Sequence, residues 1–153
     1  MSSQQRRVTS NQQRVAASRR PAAVLPQMTA APNGYGVVYA ARAPSSGFGM
    51  VIGNSDRLAA YRIAEQRCAA SGAGCRMIGE FTSMCGAIAQ GIQRSPHALF
   101  MTSDPSTFTV TSTSQGSAAS RSSAEQDAMA ECASVDRQGT CRIVAAQCGP
   151  LVL

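Results

Sequence analysis

Tryptophan and lysine are absent from this 153-residue chain, histidine occurs once, and its six cysteines include no Cys-x-x-Cys pair. Each absence narrows the range of functions. A structural zinc site wants four Cys or His ligands in close pairs. Here the cysteines within each triplet are separated by six, nine, eight and six residues, and His97 is the one histidine. The Cys-x-x-Cys-His of a c-type haem site is missing too. There is no Gly-x-Ser-x-Gly elbow and no phosphate-binding glycine loop. No catalytic residue, metal or cofactor is therefore expected. No apolar run approaches the ~20 residues of a membrane-spanning helix, so no span is expected. Large aromatics are scarce, with four Phe and three Tyr, and alanine supplies much of the 44% hydrophobic fraction. A core built on alanine buries little area per residue, so a chain of this size needs covalent links or a partner.

Acidic residues are missing from the whole of residues 1–55, which carry six arginines. Residues 56–153 hold eight arginines and eight acids, so the net charge of +6 resides entirely in the first third. A neutral body with scattered aromatics argues against nucleic acid as a partner, despite the basic pI. Residues 1–33, rich in Ser, Gln, Arg and Ala, show no helix or strand periodicity and are expected to form a disordered leader. A secretory signal needs about 7–15 apolar residues after its basic region. The nearest stretch, Pro21-Ala-Ala-Val-Leu25, is shorter and bracketed by prolines. The composition fits an organellar transit peptide better. A start that omits a signal peptide, a basic arm for an acidic partner and a tail without a role are the other readings.

What the chain does have is a repeat. Cys68, Cys75 and Cys85 form one triplet, and Cys132, Cys141 and Cys148 form another. In each, a cysteine closes a helix-like segment, Cys-Arg opens an apolar run, and Cys-Gly ends the set. Ala60, Ala64 and Cys68 match Ala124, Ala128 and Cys132 at i, i+4, i+8, one helical face. Asp56 and Ser120 stand ready as N-caps, Ser122 with Glu125 offers an alternative capping box, and Gly72, Gly74 and Gly139 end the helices. Cys75–Gly79 and Cys141–Ala145 read as the following strands. Tyr35–Ala40 matches Cys85–Gln90, and Gly47–Gly53 matches Ser106–Thr111, setting Phe48 against Phe108. The expected fold is α+β: a duplicated strand-strand-helix-strand unit over residues 34–150, with halves 34–83 and 84–150. Its six strands would form a largely antiparallel sheet with pseudo-twofold symmetry, two helices packed on it and disulfide staples.

Six cysteines allow fifteen pairings, and duplication favours a pattern that repeats. The predicted bonds are Cys68–Cys75 and Cys132–Cys141, each tying a helix end to the next strand, with Cys85–Cys148 joining the halves. Disulfides imply an oxidising compartment; six reduced core thiols are the alternative.

The motif series Gly34-Tyr-Gly-Val-Val-Tyr-Ala40, Ala60…Ala64…Cys68, Cys75-Arg-Met-Ile78, Cys85-Gly-Ala-Ile-Ala89, Ala124…Ala128…Cys132 and Cys141-Arg-Ile-Val144 resembles a bacterial family, domain of unknown function 4189. The resemblance spans about residues 34–149. It implies a small exported protein, secreted or periplasmic, and defines no catalytic residues to carry over.

Three candidate sites remain. His97 could serve an unpaired cysteine in a small hydrolase, against the plainer reading of an exposed loop histidine. Arg76 and Arg142 follow equivalent cysteines and could bind an anion or acidic partner if a twofold axis brings them together; otherwise they are solvated strand residues. The halves also differ in length. Tyr39 to Phe48 spans nine positions, and the matched Ala89 to Phe108 spans nineteen. The added segment, 91–106, contains His97-Ala-Leu-Phe-Met101, whose Leu99, Phe100 and Met101 must fold onto the core or meet a partner. The leading functional reading is a non-enzymatic, disulfide-stabilised module that binds a protein partner outside the cytosol, as an exported effector or envelope accessory protein. The alternative is an accessory subunit of a larger, organellar or membrane-associated assembly.

Overall fold

The computed structural model describes residues 33–137 and 139–149. The reading of the leader therefore falls, apart from Asn33, outside the described residues. Two strands, β1 (Tyr35–Ala41) and β2 (Phe48–Asn54), lead into helix α1 (Arg57–Ala69) and strand β3 (Cys75–Phe81). The same order recurs in β4 (Cys85–Arg94), β5 (Phe108–Ala118), α2 (Arg121–Val135) and β6 (Thr140–Cys148). The fold is α+β, with six antiparallel strands and two helices.

The strands are divided between two three-stranded sheets, ordered β2-β1-β3 and β5-β4-β6, rather than joined in one. The first strand of each half is central, so each half completes a sheet of its own. Helix α1 covers one sheet and α2 the other. The uncovered faces meet: Val38, Met50 and Phe81 of the first sheet pack against Ile88 of the second, flanked by Ile78 and Val144. The result has four layers, helix–sheet–sheet–helix. Adjacent residues of a central strand thus face different cores, Val37 toward α1 and Val38 toward the other sheet. This explains why β1 and β4 read as continuous apolar runs rather than alternating ones.

Each helix starts where a side chain accepts its first free N–H groups. The Asp56 carboxylate takes those of Leu58 (3.0 Å) and Ala59 (3.3 Å), and the Ser120 hydroxyl takes that of Ser123 (3.2 Å). The Ser122–Glu125 box is not used, because Ser122 lies inside the helix. Ala60, Ala64 and Cys68 on α1, and Ala124, Ala128 and Cys132 on α2, are fully buried. With no larger side chain on this stripe, each helix sits very close to its sheet. A Cβ on Gly49 would lie 2.1 Å from Ala64 O, and one on Gly116 2.2 Å from Ala128 N.

The disulfides are Cys68–Cys75, Cys132–Cys141 and Cys85–Cys148. The first two tie a helix end to the next strand. Cys85 and Cys148 lie directly opposite each other in the β4–β6 ladder, so their bond closes the second sheet and does not join the halves. The apolar interface joins the halves, helped by Gln90, whose Nε2 donates to Ser46 O at 3.0 Å and Thr113 Oγ1 at 3.3 Å. Three disulfides mark the chain as one that folds in an oxidising, extracytoplasmic environment.

Candidate partner-binding hairpin

The pairing of Phe48 with Phe108 does not hold in the structure. Ala40 and Gln90 occupy matching places in the central strands; Ala40 pairs with Phe48, but Gln90 pairs with Thr113. The counterpart of Phe48 is therefore Thr113. The difference between the halves is larger than the sequence comparison indicates, and it is a continuation of the β4–β5 hairpin. Gly91–Arg94 and Phe108–Ser112 extend the ladder past a bulge at Thr111, and residues 95–107 close it. In the first half, a six-residue connection from Arg42 to Gly47 joins β1 directly to β2. Four further residues on β4 lengthen the second hairpin by about 13 Å.

The tip is held by its own polar groups. Ser95 N donates to Thr107 O across the base (2.9 Å), and Ala98 N closes a turn onto Ser95 O (3.0 Å). The Arg94 guanidinium donates to Ala98 O. Asp104 caps the single 3₁₀ turn Pro105–Thr107 by accepting Ser106 N at 3.0 Å, and this bond holds its carboxyl below the usual carboxylate range. Thr107 Oγ1 accepts from Thr102 N (2.9 Å) and donates to Asp104 O (2.7 Å). Asp104, Thr102 and Thr107 were not among the residues singled out from the sequence. The signal for them is Asp104-Pro105, a capping acid before a proline preset for the first helical position.

This frame leaves the apolar residues outside. Leu99 is 86% and Phe100 75% exposed, so neither folds back onto the core. His97 is exposed beside them, and Met101 is half-buried. Behind the tip, Phe108 is half-buried and carries the Arg142 guanidinium 4.4 Å over its ring.

Arg76 and Arg142 hold equivalent places, opposite Ala40 and Gln90, but are not brought together. β3 lies over β5 and β2 over β6, which puts the two arginines at opposite edges of the sandwich. Arg142 is half-buried against Phe108, whereas Arg76 stays in solvent beside Arg42. A cysteine–histidine pair has no partner for His97, since all six cysteines are bonded. Among the described residues, no group of three or more His, Cys, Asp or Glu side chains could hold a metal ion, and no helix is long and apolar enough to cross a membrane.

The most perturbed titratable groups lie elsewhere, where α1 meets β3. Glu80 accepts from Arg57 Nε, from Arg57 Nη2 (2.9 Å) and from the Tyr61 hydroxyl (2.6 Å). Arg57 holds the Glu80 carboxyl below its ordinary range, and Glu80 in turn raises the Tyr61 phenol. The three ligate one another and contain no nucleophile, so the cluster is a clamp between helix and strand.

The chain matches no curated protein and no solved structure. A family model does match, over residues 35–148, from the first strand to the last cysteine. With three-quarters of the chain covered and the motif order intact, the protein belongs to the family described as domain of unknown function DUF4189.

Proposed function

We propose that this protein is a non-enzymatic binding module, acting outside the cytosol as a secreted or periplasmic protein, that contacts a protein partner through the tip of its β4–β5 hairpin. The observation that carries this reading is the exposure of Leu99 and Phe100 on a loop ordered without them. A hydrogen-bonded frame that holds two large apolar side chains in water costs hydrophobic free energy in the free protein, and a partner recovers it. His97 and Met101 flank the pair and complete the contact. The disulfides support the compartment.

The test is the double substitution Leu99→Ser with Phe100→Ser. Both residues are exposed, so the melting temperature should stay within a few degrees of wild type, as for most surface changes. Tagged wild-type and variant protein are then incubated with periplasmic or secreted fractions, and captured proteins are quantified by mass spectrometry. A partner recovered by the wild type and lost with the variant supports the reading. Identical capture by both, or a loss of stability of about 3 kcal/mol or more, overturns it.

A further inference from the structure

The edge of the sandwich formed by β3 and β5 carries a second surface, separate from the hairpin tip. An open groove of about 650 Å³ runs between the two edge strands, with Thr111–Gln115 of β5 along one wall and Arg76–Ile78 of β3 along the other. Nothing among the described residues pairs with the outer side of β5. Folded proteins blunt such edges with charges, prolines or short length. β5 is eleven residues long, has no charged residue and no proline, and departs from regularity only at its bulge. Backbone N–H and C=O groups at alternate positions along it are therefore available to another strand.

The groove is also charged asymmetrically. Arg42 and Arg76 line it together, and neither forms a salt bridge among the described residues. Glu131 lies on the α2 wall. Met77 and Val135, 42% and 60% exposed, form apolar rims on opposite sides. At the other edge of the sandwich the equivalent arginine, Arg142, is occupied by Phe108. The chain's own first 32 residues carry five arginines and no acid, so their charge opposes Arg42 and Arg76.

We propose that this edge binds an extended segment of another polypeptide, which adds as a strand to β5 and sets a carboxylate against Arg42 and Arg76. Main-chain bonds would supply the register and the two arginines the choice of an acidic sequence. The proposal is independent of the hairpin tip, and the Leu99→Ser, Phe100→Ser variant should bind such a strand as well as wild type does.

The probe is a synthetic acetylated peptide, Thr-Val-Thr-Val-Asp-Glu, titrated into the ¹⁵N-labelled full chain and followed by amide shifts. Two control peptides carry lysines in place of the acids, or N-methyl groups on alternate amides. Shifts should concentrate at Thr111–Gln115 and Arg76–Ile78. Affinity should fall at least about tenfold with the lysine peptide, with the N-methylated peptide, and with the Arg42→Ser, Arg76→Ser variant. Equal binding by the N-methylated peptide would reduce the site to an anion contact and overturn strand addition. Equal binding by the lysine peptide, shifts confined to the β2–β6 edge, or no shift at millimolar peptide would overturn it as well. So would a dimer in sedimentation that the double arginine variant dissociates, since a second copy would then be the occupant.

Discussion

Gly116→Ala should destabilise this protein, although exchanging glycine for alanine in a strand usually helps. The residue lies in β5 beneath α2, where an added Cβ would stand 2.2 Å from Ala128 N, 2.6 Å from Ala124 O and 2.8 Å from Ala128 Cα. All three atoms belong to helix backbone, so no side chain can swing aside. Restoring ordinary contact near 3.5 Å requires α2 to move out by about 1 Å. That helix is anchored by fully buried Ala124, Ala128 and Cys132, and by the Cys132–Cys141 bond. A gap of this size forfeits a quarter to a half of the dispersion energy across the contact, and overpacking of this kind costs about 1–3 kcal/mol. Against it stands about 0.4–1 kcal/mol from the smaller entropy of the unfolded chain. The net loss is about 1–2 kcal/mol, a fall of roughly 4–10 °C in melting temperature for a domain of this size. Thermal unfolding of the full chain with disulfides intact, followed by far-ultraviolet circular dichroism, measures it. Gly74→Ala is the control, because nothing lies within 4 Å of its Cβ position. If Gly116→Ala melts at or above wild type while Gly74→Ala is neutral, the close helix–sheet contact is not what constrains this position.

Three further outcomes follow from the disulfides, the clamp and the charge distribution. Replacing Cys85 and Cys148 by alanine opens a loop closed over 63 residues, against 7 for Cys68 and Cys75. Loop-closure entropy gives roughly 4.3 against 2.5 kcal/mol, so urea midpoints should fall further for the first pair, and the reverse order would refute that account. Glu80 is held below its unfolded value, so the stability it contributes is present above about pH 4.3 and is lost as pH falls through its folded value. Glu80→Gln should flatten the acid limb of a stability–pH curve between about pH 4.5 and 2.5, and parallel curves for variant and wild type would count against the clamp. Finally, the residues from 56 onward are neutral, so salt-sensitive binding to acidic surfaces should disappear when residues 1–32 are removed. Binding retained with the same salt dependence would place the basic contact on the folded body.

Much of this architecture was legible in the chain because its signals are local or periodic. Asp56 and Ser120 cap their helices through hydrogen bonds that reach only two or three residues ahead. The spacing Ala60, Ala64, Cys68 and its counterpart names the buried helix face, since 3.6 residues per turn determines which side chains align. The cysteine order identifies the oxidising environment, and the hairpin tip stood out as apolar residues in the longer half. β5 beyond Thr111 was not legible. Ser114 and Gly116 lie under α2, where only small residues fit, and small polar residues leave no hydrophobic alternation to read.

The sequence alone determined the class of each segment, the family, and which cysteines and alanines recur in register, because these depend on neighbours a few positions apart. Tertiary structure decided the remainder. Whether six strands make one sheet or two depends on which strand takes the central place, and pairing across 50 or more residues leaves no local trace. The opposite edges occupied by Arg76 and Arg142, the true counterpart of Phe48 and the groove beside β5 all follow from stacking one sheet on the other. They come from the packing of Val38, Met50 and Phe81 against Ile88, a contact between faces that single strands do not specify.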